Sequence, residues 1–400
     1  MSRIILALGI ALSVFALSGC ASRKVAPVNI KDTSSFHQSL PFADSPFDIL
    51  VDDMDGNGRA DVALVSHGDN YAQVFLQQDA RTFIAGERQP IVGFHPGDLI
   101  RLSTARPRYL AAAEGQNKVL VLEPGPNGSL RQAAELKVPV PRHAASFRWP
   151  GWGDSVVVSP FGQDFLVLLK NFDPVKGQAS ERLQVALSEK EHTIRRAEWV
   201  RPADVDGDGV DELLFASNTT QEVLMLKYPG PDGAIKPKLV AKFRSGAPWD
   251  VLSADLNGDG ALDLLVPNQS RPFVIHVLLN DGHGNFQETT ALPFPTDMGL
   301  RRFAWSKDKD GFNYLFGVGY GAIAIYRFPN NWDGKAPVPM RSVPVGSSEG
   351  SQDVVLQDLD GDGWLDGIVG RGKGPQGVWI VYGPLWERFE ELSAARFVLN

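Results

Sequence analysis

The apolar residues of this chain fall in short runs bounded by glycine and acidic residues. Asp61-Val-Ala-Leu-Val65, Glu212-Leu-Leu-Phe215, Leu262-Asp-Leu-Leu-Val266 and Trp364-Leu-Asp-Gly-Ile-Val369 are of this kind. Runs of this length with such borders predict strands rather than helices. A second set precedes the acidic segments, at Phe47–Val51, Trp249–Ser253 and Asp353–Gln357. A third set follows, at Val74–Leu76, Val119–Leu122, Phe165–Leu169, Val223–Leu226, Phe273–Leu279, Ala322–Ile325 and Val378–Val381. Turn clusters come after several of these, such as Pro124–Gly128 and Pro229–Gly233.

Between the first two strands of a unit lies a nine-residue pattern that occurs four times, at Asp53–Asp61, Asp204–Glu212, Asp255–Asp263 and Asp358–Asp366. The starts are 151, 51 and 103 residues apart, close to three, one and two units of about 51. Units without the pattern then fall near 103, 154 and 306, giving seven in all. Sheet modules recurring at this period predict an all-β, seven-bladed β-propeller of four-stranded antiparallel blades. The expected blades are 41–92, 93–141, 142–192, 193–243, 244–294, 295–344 and 345–400. The order within a blade is strand A, acidic loop, strand B, turn, strand C, turn, strand D, and the strand that closes the ring comes from Arg388–Leu392, from Ala395–Leu399 or from the segment after Val28.

Composition agrees. The 400 residues include 40 Gly and 28 Pro, a turn-rich count without a collagen period. A single Cys excludes an intrachain disulfide or a Cys-ligated cluster. The net charge of −8 argues against nucleic acid as a partner.

The loops place oxygen-bearing side chains at positions 1, 3, 5 and 9 and glycines at 4 and 6. These ligand positions are Asp53, Asp55, Asn57 and Asp61; Asp204, Asp206, Asp208 and Glu212; Asp255, Asn257, Asp259 and Asp263; Asp358, Asp360, Asp362 and Asp366. The backbone carbonyls at position 7 (Arg59, Val210, Ala261, Trp364) are natural additional ligands. Hard Ca²⁺ takes six to eight oxygens, and glycine permits the tight curl that gathers them. An EF-hand is excluded, because position 12 is apolar (Leu64, Phe215, Val266, Val369) and strands flank the loop. About four structural Ca²⁺ sites are expected.

At the amino terminus, Arg3 precedes an apolar run from Ile4 to Leu17, too short to span a membrane, followed by Leu17-Ser-Gly-Cys20. This resembles a bacterial lipobox, which implies a signal peptide over 1–19, lipidation of Cys20 and a tether over 20–40. Ala21 after the cysteine favours the outer membrane. The Asp-x-Asp-Gly-Asp-Gly-x-x-Asp pattern, with Asn280-Asp-Gly-His-Gly-Asn-Phe286 downstream, resembles FG-GAP/VCBS repeats, the blades of the integrin α-subunit head. The likeness is strong in units one, four, five and seven and poor in two, three and six. There, Ala105–Pro107, Pro150–Gly153 and Lys307–Gly311 replace the loop.

In a propeller the A–B loops share one face; the D–A entries and B–C turns share the other, which in many propellers holds the ligand. Residues entering strand A are therefore ligand-face candidates: Phe47, Asp48, Arg101, Arg148, Trp199, Trp249, Asp250, Arg302 and Asp353, with Asp98, Phe147, Arg196 and Phe303 at the same entries. The alternative is that the aromatics wedge the blades together. Enzyme signals are sparse. Gly346–Gly350 matches a nucleophile-elbow pattern but precedes a strand. His276 is expected in the core and His283 in an exposed turn. The expectation is a non-enzymatic, membrane-anchored, monomeric binding or adhesion module for a glycan or envelope protein. A polysaccharide lyase using Tyr320 with Arg101, Arg148 and Arg302 is one alternative, and an envelope-assembly scaffold is another.

Overall fold

The computed structural model describes residues 29–394 apart from 32–35, 43–45, 67, 92–95, 189–194, 231–232, 296–298, 345–352 and 372–376. Cys20, the lipobox, the Gly346–Gly350 pattern and Ala395–Leu399 lie outside the described residues.

The strands assemble into seven antiparallel sheets, the blades of a β-propeller. Blades two to six are four-stranded meanders in chain order, starting at Pro96, Pro141, Val200, Leu252 and Leu300. Strand B of every blade is buried along its whole described length. Examples are Asp61–Ser66, Ser155–Pro160 and Asn313–Gly319. Both of its faces meet a neighbouring sheet, so its sequence is a continuous apolar run rather than an alternating one.

Seven apolar clusters lie between adjacent blades. One joins Val62, Leu64 and Phe75 of blade one to Ile368 and Ile380 of blade seven, which closes the ring. The closing strand comes from the amino-terminal side: His37–Leu40 pairs with Val378–Val381 as the outermost strand of blade seven. Tyr382 donates its hydroxyl to Gln38 Oε1 at 2.6 Å and its N–H to the Phe36 carbonyl at 2.7 Å. Of three segments considered for closure, the one after Val28 therefore serves. Asn29–Lys31 also pairs, with Thr82–Ala85 of blade one, so part of the expected tether is sheet.

Arg388–Leu392, the first of those segments, is not a strand but part of a helix, Leu385–Ala394. Pro384 precedes it, and Leu385, Phe389 and Leu392 repeat at helical spacing. These three are buried in the core between blades six and seven, with the Phe389 ring 5.2 Å from Phe316. Among the described residues, no helix is long and apolar enough to cross a membrane.

Candidate functional site

Each acidic loop is a hairpin between strands A and B, tied by its own side chains. In the first loop Asp53 accepts from the Gly56 N–H at 2.8 Å and the Gly58 N–H at 2.9 Å, and Asn57 accepts from the Arg59 N–H at 2.8 Å. Gly56 and Gly58 have φ of +78° and +82°, a conformation that a side chain would strain. The same bonds recur in the other three loops, from Asp204, Asp255 and Asp358 to their glycines.

The position-9 acid is buried and tied to the backbone of its own loop and, in three blades, to that at or just beyond strand C. Asp61 accepts from the Met54 N–H and, across the sheet, from the Gln77 N–H, both at 2.8 Å. Asp263 and Asp366 repeat the arrangement with Leu256 and Asn280, and with Leu359 and Gly383. Burial pushes the carboxyls of Asp61 and Asp263 up to about 6 and that of Asp366 up to about 7, and raises Glu212.

Three acidic clusters have ligand atoms lying within 4.8 Å of one another: Asp53, Asp55 and Asp61; Asp204, Asp206 and Glu212; Asp358, Asp360 and Asp366. Converging, partly desolvated carboxylate oxygens are the donor set a hard divalent cation takes, so these residues fit one. Blade five makes the same loop, but Asn257 replaces an acid and only Asp255, Asp259 and Asp263 remain. The position-5 side chains (Asn57, Asp208, Asp259, Asp362) turn an oxygen to the N–H at position 7. In blade four, Lys227 Nζ lies 2.5 Å from Asp206 and 3.4 Å from Glu212; in blade seven, Arg81 of blade one lies 2.7 Å from Asp360.

Two of the loops without the pattern dock onto acidic loops beside them. Arg148 of blade three donates its N–H to Asp211 Oδ2 at 2.7 Å, and Trp149 donates its indole N–H to the Asp211 carbonyl at 2.7 Å. Lys309 of blade six donates to the Asp362 carbonyl at 3.1 Å and lies over the Trp364 ring.

On the axis, each blade sends one side chain inward: Asp48, Asp98, His143, Trp199, Asp250, Arg302 and Asp353. All are buried. Arg302 lies 3.4 Å from Asp98, 3.8 Å from Asp48 and 3.9 Å from Asp353, with its guanidinium 3.6 Å over the Trp199 ring. His143 pairs with Asp98 through Nδ1 and with the Val200 carbonyl at 2.9 Å through Nε2. Burial, followed by the Arg201 and Arg302 charges, holds its pKa well below the ordinary histidine value. Burial and Asp353 push Asp48 up to about 7. Backbone bonds lock neighbours: Ile49 donates to Asp353 and Leu99 to Asp48, both at 2.8 Å.

The expected ligand-face set therefore divides. Phe47, Asp48, Trp199, Asp250, Arg302 and Asp353 pack the shaft, and Trp249 is half-buried beside it. Arg101 ends its strand A and Arg148 follows the next one, so both lie on the acidic-loop face, not the face expected. Tyr320 sits in the B–C turn of blade six against Arg301, on the opposite face from Arg101 and Arg148. His276 is only partly buried, bonded to Glu288 at 2.8 Å and stacked on Phe243, while His283 is exposed. The sequence reading missed His143 and Arg201. Blade three has no acidic loop to index its strand A, so Phe147 and Arg148 stood in the place of His143.

Two cavities open on the acidic-loop face. One, of about 350 Å³, lies among the strands A of blades two to five and is lined by Arg101, His143, Ser146, Arg201 and Ser253. The other, of about 330 Å³, lies toward the rim and is lined by Ser103, Thr104, Ser146, Arg148, Asp154 and Asp211.

Residues 204–266 match the FG-GAP-like repeat. No curated protein shows significant similarity to the chain. Solved structures share its fold. BBS1N in complex with ARL6DN aligns with a TM-score of 0.57 at 11% identity, covering 88% of this chain and 97% of that one. Virginiamycin B lyase from Staphylococcus aureus aligns at 0.57 and 13%, covering 86% and 98%. Sqt1 from Saccharomyces cerevisiae aligns at 0.55 and 13%, covering 86% and 97%. At these identities the likeness is one of fold.

Proposed function

We propose that this chain is a calcium-stabilised binding module, held at the bacterial outer membrane by a lipid on Cys20, that recognises a glycan or protein of the cell envelope without chemical turnover. The observation that carries the reading is that its charged groups are arranged to hold structure. Asp61, Asp263 and Asp366 each accept from the backbone of their own loop and from the backbone at or just beyond strand C, so Ca²⁺ in these loops would fasten the inner hairpins rather than touch a ligand. On the axis, His143 is buried with Nε2 at the Val200 carbonyl and Nδ1 facing Asp98, and the carboxylates accept from arginines and backbone N–H groups. A general acid or base needs a free site directed at a reacting atom. Tyr320 and the arginines Arg101 and Arg148 lie on opposite faces, which favours binding over a lyase chemistry. The module acts as a monomer and takes no nucleic acid.

The test is a binding screen of the mature chain against envelope glycans and envelope proteins, with Ca²⁺ and with EDTA, alongside a turnover assay on the same polysaccharides. Saturable binding with unaltered ligand supports the reading; cleavage of any polysaccharide overturns its non-enzymatic part. An unchanged melting temperature in EDTA overturns the calcium assignment.

A further inference from the structure

The axial cavity is built from rigid inner strands of four consecutive blades, and its charged groups are fixed from behind. Arg101 Nε lies 2.8 Å from Asp52, and its Nη1 donates to the Leu102 carbonyl at 2.7 Å. Arg201 grips Asp250 with two bonds, Nε to Oδ1 at 3.0 Å and Nη2 to Oδ2 at 2.7 Å. Each side chain is about one-third exposed, at 34% and 33%. These bonds leave Nη2 of Arg101 and Nη1 of Arg201 with no hydrogen-bond acceptor among the described residues. The hydroxyls of Ser146 and Ser253 line the same space. The carboxylates nearby are turned onto the arginines, so what the cavity offers is donors. Both arginines are pre-oriented, which limits the entropy a ligand must pay. A donor-rich pocket with one free guanidinium nitrogen from each of two arginines selects an oxyanion, and the two oxygens of a carboxylate can meet both.

The rim cavity shares Ser146 with the axial one, so the two adjoin at that residue. Its character differs. Ser103 and Thr104 bring hydroxyls, Asp154 is an exposed carboxylate, Arg148 is 80% exposed and reaches Asp211 at 3.3 Å, and Leu102, Phe147 and Phe172 form an apolar floor. Hydroxyls with one acid and one base over an apolar floor match the hydroxyl edges and C–H face of a sugar ring. Each volume is at the lower end of that of small-ligand sites, enough for a ligand of one or two rings.

We propose that this groove binds an acidic saccharide, its carboxylate held in the axial cavity between Arg101 and Arg201 and its ring hydroxyls met by Asp154 and Arg148 at the rim. The proposal rests on the reading of the chain as a binding module and names its site and ligand class. The shaft beneath holds four carboxylates against Arg201 and Arg302, but Asp48 titrates at about 7, so near neutrality it carries less negative charge than that count implies. The arrangement also accounts for the side of the disc that is open. The neighbouring blades two and three lack acidic loops, and it is there that the rim cavity lies.

The experiment is calorimetric titration of the calcium-loaded mature chain with galacturonate, its short oligomers, the matching neutral sugar and acetate. Oligogalacturonates are expected to bind, and the neutral sugar and acetate to bind at least tenfold more weakly. Arg101→Met is the first variant, because its partner Asp52 is 26% exposed and can be re-solvated, so the fold survives. A loss of at least tenfold in affinity is expected. Arg201→Lys keeps a charge beside Asp250 but removes the fork, and a similar loss is expected. Ser146→Tyr, which blocks the junction of the cavities, should abolish oligomer binding. Equal affinity for neutral and acidic sugars, or variants that bind like the parent, overturns the proposal. If the parent binds a neutral glycan or an envelope protein but no uronate, the site assignment falls and the binding-module reading stands. If it binds nothing in either screen, both fall.

Discussion

Trp149 donates its indole N–H to the carbonyl of Asp211 across 2.7 Å, and so fixes a loop lacking the acidic pattern to one that carries it. Asp211 stands between Val210 and Glu212 in the cation loop of blade four, and its carboxylate is also held by the Arg148 N–H at 2.7 Å. The non-acidic loop is thus a brace for its neighbour. It also lines the rim cavity, so cation binding and the open groove share a wall.

Trp149→Phe keeps most of the packing and deletes the donor. A buried carbonyl left without its partner costs about 1–3 kcal/mol. The urea midpoint of the variant should fall by the corresponding amount, with an unchanged slope. Terbium luminescence should show weakened occupancy of one site, which Glu212→Ala in the parent would remove.

Calcium and pH should act on the same loops with opposite slopes. Burial puts Asp61 and Asp263 at about 6 and Asp366 at about 7 when no cation is bound. In the unfolded chain such groups titrate at about 3.9. Between those values the folded chain holds protons that the unfolded chain has released. The metal-free protein therefore gains stability as pH falls from about 7.5 toward about 5, and loses it as pH rises through the folded values. A bound cation needs the ionised carboxylates, so its contribution falls with pH. At about a hundredfold excess over its dissociation constant, each ion adds about 2.7 kcal/mol. Urea midpoints in EDTA and in Ca²⁺ at the two pH values check both slopes, and a metal-free protein more stable at the higher pH would contradict the assignment.

Arg302 compensates three buried aspartates from three blades. Arg302→Met leaves them without their close cation, with only Arg201 nearby, and should cost about 3–5 kcal/mol. Adding Asp98→Asn should recover part of that loss, since it removes one of the stranded charges. Denaturant midpoints of the single and double variants measure the coupling, and additive effects would mean that the contact carries none.

What could be read from the chain follows from which features repeat. The four acidic loops recur with fixed spacing, and the strand B runs are apolar throughout because both faces are covered, so blade number and order were legible. Six of the seven axial residues follow from that register. Blades two and three lack the loop that sets the count, so their register was loose: His143 was missed, and Arg101 and Arg148 were placed on the wrong face. The helix at Leu385–Ala394 has a readable spacing in Leu385, Phe389 and Leu392, but Arg388–Leu392 stood as one of three segments for a closing strand because the ring needed one. The clamp of Trp149 on Asp211 joins residues 62 apart, which no local pattern encodes.

The strand that does close the ring has weak local character. His37–Leu40 is four residues long, with half-buried and buried positions alternating, and its weight comes from what it covers. Leu40 and Phe42 are fully buried against Val378, Ile380 and Tyr382 in the core shared by blades seven and one. Without it, Val378–Val381 becomes an exposed apolar edge, a template for pairing with another chain. A chain beginning after Phe42 should therefore melt well below the mature protein and associate on concentration, as light scattering would detect. The chain beginning at Phe36 should keep most of the stability of the disc, because the pairing of residues 37–40 is intact and only the Asn29–Lys31 edge strand of blade one is lost. Gln38→Ala removes the partner of the Tyr382 hydroxyl, a 2.6 Å bond, and should cost about 1 kcal/mol. A truncation after Phe42 that melts with the parent would show that another segment can close blade seven.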